Sequence, residues 1–148
     1  MKIEEEIKQS KFSSPYQKAV INLLFTSNWL NNRQQEFFKV YGITSQQFNV
    51  LRILKGQHPK SISATEIKSR MLDKNSDISR LLDRLIDKNL IEKKICPADK
   101  RASDVSITEK GLGLLKEINP RQNEIDFLLA LTEEEAIQLS NLLDKSRG

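Results

Sequence analysis

The side chains best suited to chemistry in this chain are polar and basic, and they cluster. Asn75, Ser76, Ser79, Arg80 and Arg84 share one short segment, and Asp99, Lys100 and Arg101 follow at a turn downstream. Amide, hydroxyl and guanidinium groups are hydrogen-bonding groups, with no nucleophile and base pair among them. At helical spacing they can reach base edges and phosphates, and an Arg can make two parallel bonds to one base. A basic tip contributes little to folding and suits the negative potential of a minor groove. Asp99 would orient Arg101 or pair with Arg84. Enzyme chemistry finds less support. The single histidine, His58, stands in a Gly-Gln-His-Pro turn. No Ser/His/Asp arrangement, metal-ligand spacing or phosphate-cradling glycine loop is legible, so no cofactor or metal is expected.

The elements that must hold these groups are marked by periodicity. Ile78, Leu81, Leu82, Leu85 and Ile86 recur at i, i+3, i+4, i+7 and i+8, which places them on one buried face of a helix. Ser76, Arg80, Asp83, Arg84 and Asp87 then point outward, with Ser79 on the flank. Asn75 and Ser76 would open that helix beside free backbone N–H groups suited to a phosphate. Periodicity alone fits equally well a solvated face with Arg80–Asp83 and Arg84–Asp87 pairs. Between Ile91 and Thr108 the period changes to two, with β-branched residues. This predicts a strand pair joined by Pro97-Ala98-Asp99-Lys100, and Ser61-Ile62-Ser63 could add a short third strand.

Helix starts are signalled at Ser14-Pro15-Tyr16-Gln17, Thr44-Ser45-Gln46-Gln47, Ser63-Ala64-Thr65-Glu66 and Thr132-Glu133-Glu134-Glu135, each pairing a hydroxyl with Gln or Glu three residues on. Stops are signalled at Gly42 and Gly56. Six helices are predicted, at 14–41, 44–56, 63–72, 75–89, 109–130 and 132–146, with Pro120 kinking or breaking the fifth. The fold class is therefore mainly α with a small β-hairpin wing, a winged helix-turn-helix. The first helix and the last two carry long apolar stripes, among them Tyr16, Val20, Leu23, Leu24, Leu128, Leu129, Leu139 and Leu142. These are either core or a surface for a second copy of the chain.

With 148 residues, 38% hydrophobic and 30% charged, the chain has the composition of a single water-soluble domain. It has no apolar run of membrane-spanning length, and MKIEEEIKQSK is unlike a secretory signal, so a cytoplasmic location and no membrane partner are expected. Net charge is +4, with the basic surplus away from the C-terminal end, which agrees with a polyanionic partner. Cys96, the one cysteine, cannot form an internal disulfide. Lys93 and Lys94 lie close to it in sequence and could activate the thiol, which leaves thiol-based redox sensing open beside an inert strand residue.

SDISRLLDRLIDKNLIEKK followed by DKRASDVSITEKG resembles the multiple-antibiotic-resistance regulator (MarR) family across residues 63–111. The resemblance implies one domain over 1–148, with a DNA-binding lobe at 44–108 and a dimerisation lobe from 12–43 and 109–148. It implies a homodimer that binds double-stranded DNA at a pseudo-palindromic operator, more commonly as a repressor. Release would come from a small aromatic or anionic effector near the junction of the lobes, where Phe25, Trp29 and Arg33 are candidates. By position, Asn75, Ser76, Ser79, Arg80 and Arg84 resemble the recognition-helix contacts, and Asp99, Lys100 and Arg101 the wing. Asn89 replaces the glycine usual at the end of the recognition helix, and asparagine is the substitute that best tolerates the left-handed conformation. A protein-docking winged helix is the rival reading, but the outward face offers Arg and Ser where docking would favour apolar anchors.

Overall fold

Hydroxyl caps start the main helices where the sequence placed them. Ser14, Thr44, Ser63 and Thr132 accept from the backbone N–H groups of Gln17, Gln47, Glu66 and Glu135. Each bond satisfies a donor that the helix itself leaves free. The computed structural model describes residues 1–95 and 103–148. In chain order these form α1 (Ile3–Glu6), α2 (Pro15–Lys39), α3 (Ser45–Gln57), β1 (Ile62–Ser63), α4 (Ala64–Arg70), α5 (Ile78–Asp87), β2 (Ile91–Ile95) and β3 (Ser103–Ile107). They continue with α6 (Glu109–Ile118), a 3-10 turn at Asn119–Arg121, α7 (Asn123–Asp126) and α8 (Glu133–Arg147).

The described residues thus contain eight α-helices where six were expected. Two causes account for the difference. A short α1 precedes the first predicted helix, with Ile3 buried and Glu4 paired to Lys18 of α2. The expected helix 109–130 is broken because Pro120 has no N–H to continue the ladder, so α6 ends at Ile118 and the chain tightens into the 3-10 turn. Arg121 of that turn bonds Glu124 and the Tyr41 hydroxyl, and its guanidinium lies over the Phe37 ring. The Glu124 carboxyl is held below its ordinary pKa by this arginine.

The core forms around α3, whose Val50, Leu51 and Leu54 are fully buried. Phe38, Ile67, Leu85, Ile91, Val105 and Ile118 join it from α2, α4, α5, the sheet and α6. The anticipated third strand is present: the sheet order is β1-β3-β2, antiparallel throughout, with Ile62 opposite Val105 and Ile91 opposite Ile107. The stripe on α5 packs as its spacing requires, with Leu81, Leu82 and Leu85 buried and Ile78 and Ile86 half-buried. Asn89 closes that helix at φ +59°, and the next amide, Leu90, donates to Leu85 O at 3.0 Å. Asparagine therefore does here what glycine does elsewhere. No helix among the described residues is long and apolar enough to cross a membrane.

α6 starts where Thr108 accepts from Gly111 N. A Cβ on Gly111 would stand 2.3 Å from Leu90 O and 2.6 Å from an Ile107 side-chain carbon, so only glycine allows α6 to meet the sheet this closely. Gly113, one residue beyond Leu112, has nothing within 4 Å of the place a Cβ would take. Gly111→Ala should lower the unfolding free energy by about 1–3 kcal/mol through overpacking. Gly113→Ala should raise it by about 0.5–1 kcal/mol through helix propensity. Urea denaturation of the two variants, read by circular dichroism, would show opposite shifts.

Candidate nucleic-acid interface

The link between α4 and α5 is a turn organised by carboxylates. Asp73 accepts the Asn75 N–H on its side chain at 2.9 Å and the Ser76 hydroxyl on its carbonyl at 2.6 Å. Its other carboxylate oxygen accepts from Gln46 at 3.3 Å, and Asn49 accepts the Leu72 N–H at 3.0 Å. The turn is thereby tied to α3 from below. Asp77 then caps α5, accepting the Arg80 N–H at 3.2 Å.

Two expectations change as a result. The helix begins at Ile78 rather than at 75, because Asp77 fills the capping position. Its carboxylate stands where a free amide cradle for a phosphate was expected. Ser76 points inward, only 4% exposed, and its hydroxyl holds the turn. Asn75 remains exposed on that turn.

Ser79, Arg80 and Arg84 are exposed along the solvent face of α5, as the wheel requires. Among the described residues neither arginine forms an ion pair, so the Arg80–Asp83 and Arg84–Asp87 pairs of the alternative, a merely solvated face, are not made. Asp83 instead faces Lys93 of β2 at 4.0 Å, which sets β2 beside α5. Lys94 is exposed on the same strand. Asp99, Lys100, Arg101 and Cys96 lie outside the described residues. β2 and β3 pair in register as far as Ile95 and Ser103.

Sequence reasoning missed the residues that build this surface without facing it: Asp73, Asp77, Asn49 and Lys88. An Asp two residues before Asn75, and another three before Arg80, were legible signs of a side-chain turn and a cap. Lys88 had no local signal. Its Nζ donates to Gly42 O at 2.6 Å and to Gln47 Oε1 at 3.2 Å, partners far away in sequence.

Two clefts border α2. One of about 660 Å³ opens between α2 and the α4–α5 turn, lined by Asn31, Gln34, Asn49, Asp73 and Arg84 among others. A smaller one of about 270 Å³ is lined by Phe25 and Trp29 beneath the N-terminal segment. Arg33 lies over the Trp29 ring, 5.8 Å from its centre. No cluster of His, Cys, Asp or Glu that could hold a metal ion occurs among the described residues.

This geometry has relatives. Residues 43–103 match the model of the MarR family. Over 122 residues the chain is 30% identical to the HTH-type transcriptional regulator MhqR of Bacillus subtilis, spanning 80% of this chain and 81% of that protein. The chain belongs to the MarR family. A second relative, the HTH-type transcriptional repressor MdtR of Bacillus subtilis, is 35% identical over 74% of this chain and 71% of its own length. A mutant of Escherichia coli MarR, solved in complex with operator DNA, shares the fold with a TM-score of 0.74 at 24% identity, covering 99% of each chain. The chain is thus a MarR-family helix-turn-helix transcriptional regulator. Asp77→Ala should remove the cap of α5 and lower stability by about 1 kcal/mol. The exposed Asn75→Ala should change it by less than about 0.5 kcal/mol. Thermal unfolding of both variants checks the contrast.

Proposed function

We propose that the chain binds double-stranded DNA as a homodimer at a pseudo-palindromic operator, represses transcription there, and is released by a small aromatic or anionic effector. The observation that carries this reading is the exposed pair Arg80 and Arg84 on α5. Both are without ion-pair partners among the described residues, on the helix that a winged helix lays in the major groove. Arg80, Ser79 and Asn75 would read bases, while Arg84, Lys93 and Lys94 would hold phosphates. Ser76 contributes by fixing the turn. Asp99, Lys100 and Arg101 complete the interface as the wing tip entering the minor groove. The chain acts as a regulator, with no catalytic role assigned to any residue.

Dimerisation through residues 12–43 and 109–148 is supported by what a single chain leaves uncovered. Tyr16 is 83% exposed and Phe127 77%, and Val20, Leu23, Leu24, Ile137 and Leu142 are also exposed. α8 buries none of its residues, and a helix of its length gains most of its stability from packing an apolar face. A second copy supplies that packing and places two recognition helices about 10 bp apart. The cleft between α2 and the turn touches both lobes. An effector there releases DNA only by binding one spacing of the recognition helices better than the other. A water-soluble dimer on the chromosome acts in the cytoplasm.

Fluorescence anisotropy with the DNA flanking the chain's own gene, over a series of salt concentrations, tests the reading; affinity that ignores salt would sink it. Arg80→Ala should cost about 1–3 kcal/mol and relax sequence preference, whereas Lys94→Ala should weaken all sequences alike and reduce the salt slope by about 1. Leu24→Asp combined with Leu142→Asp should give a monomer by sedimentation and abolish tight operator binding. A variant that remains dimeric would place the interface elsewhere.

A further inference from the structure

Lys88 differs from its basic neighbours in reaching across the fold. Its ammonium has three donors, and bonds to Gly42 O and Gln47 Oε1 engage it at 2.6 and 3.2 Å. Gly42 is the left-handed residue, φ +71°, at which α2 gives way to α3. Gln47 is 2% exposed, and the same Oε1 accepts the Thr44 N–H at 3.1 Å, so this acceptor is itself held still. At its backbone, Lys88 is the C-cap of α5, and its carbonyl accepts from Lys110 of α6 at 2.9 Å. The neighbouring Asn89 carbonyl accepts from the Thr108 hydroxyl at 2.7 Å. Hydrogen bonds therefore run without a break from the end of α2, through Lys88, to the start of α6. The last turn of α5 is the piece clamped between them.

We infer that Lys88 is a positioning residue for DNA recognition: it fixes α5 against the corner where α2 ends, and so sets the spacing of the two recognition helices in the dimer. α2 and α6 lead into the segments assigned to dimerisation, whereas Arg80 and Arg84 lie on the helix that Lys88 closes. A change in how the α2 segments pack thus reaches α5 through Gly42 and Lys88. The stem of a free lysine explores many rotamers, and ordering it has an entropic cost. Two acceptors presented by one corner make that ordering directional. The consequence for DNA rests on the function proposed above; the mechanical link does not.

Lys88→Met keeps the stem and removes the donors. The variant would be compared with the wild type for operator affinity over a salt series, for preference among operators of altered half-site spacing, and for thermal unfolding. Spin labels at Asn32 and Asp87, exposed on α2 and α5, in a Cys96→Ser background, would report the distance between these helices without DNA. The expected result is a chain that unfolds near the wild-type temperature, binds the best-spaced operator about tenfold more weakly and keeps its salt slope. It should also discriminate less among spacings and show a broadened α2–α5 distance distribution. Gln47→Leu, which leaves Gly42 O in place, should act in the same direction and less strongly. A salt slope reduced by about 1 with spacing preference intact would make Lys88 a phosphate ligand and overturn the inference. So would an unchanged distance distribution, whatever the stability. If the wild type fails to bind DNA while Lys88→Met still broadens the distribution, the proposed function falls and the positioning link stands.

Discussion

The burial of Leu81, Leu82 and Leu85 against the α3 core is the interaction on which the rest of the surface depends. A helix has one orientation that hides those three side chains, and that orientation alone turns Ser79, Arg80 and Arg84 to solvent. The outward placement of the arginines is thus specified by apolar packing. A rotation of α5 by one position would bury a guanidinium without a partner and expose leucine, which is costly at both ends. The sheet and α6 brace the same helix from its far end, where Gly111 lets two backbones approach more closely than any side chain allows.

Folding and anion binding compete at the start of α5. Free amides there would attract a phosphate, but left uncapped they would weaken the helix. The chain resolves this in favour of folding, with Asp77 as cap and Asp73 as the centre of the turn. Positive charge is carried by side chains further along the helix and on β2, where it does not interfere with capping. The arginines have no partner among the described residues, and a guanidinium free of competing carboxylates is the one best able to make two bonds to a base or phosphate.

The two ends of the chain have the opposite character. α2 and α8 are amphipathic, but Tyr16, Val20, Leu23 and Leu24 of α2 and Ile137 and Leu142 of α8 stay exposed in one chain. In the proposed dimer a second copy covers these residues, and its symmetry would match that of a pseudo-palindromic site.

Much of this was legible in the sequence because it depends on neighbours a few residues apart. The capping hydroxyls, the α5 stripe and the strand pair with its third partner follow from local spacing, and the left-handed Asn89 from the resemblance together with the tolerance of asparagine for that conformation. Spacing also separated the exposed arginines from the buried leucines. Local rules failed where two of them met at one place: Asp77 took the cap that Asn75 and Ser76 had been given, whereas the break at Pro120 was legible from its missing N–H. The roles of Asp73, Asn49 and Lys88 depended on partners distant along the chain, Gln46 and Gly42 among them, which no periodicity relates. The sequence by itself determined which face of α5 is buried and where α2, α3, α4 and α8 start, since these follow from side-chain period and capping. Only the tertiary structure decided how α5 is held against the rest, because that depends on which distant backbone atoms packing brings within reach of a lysine.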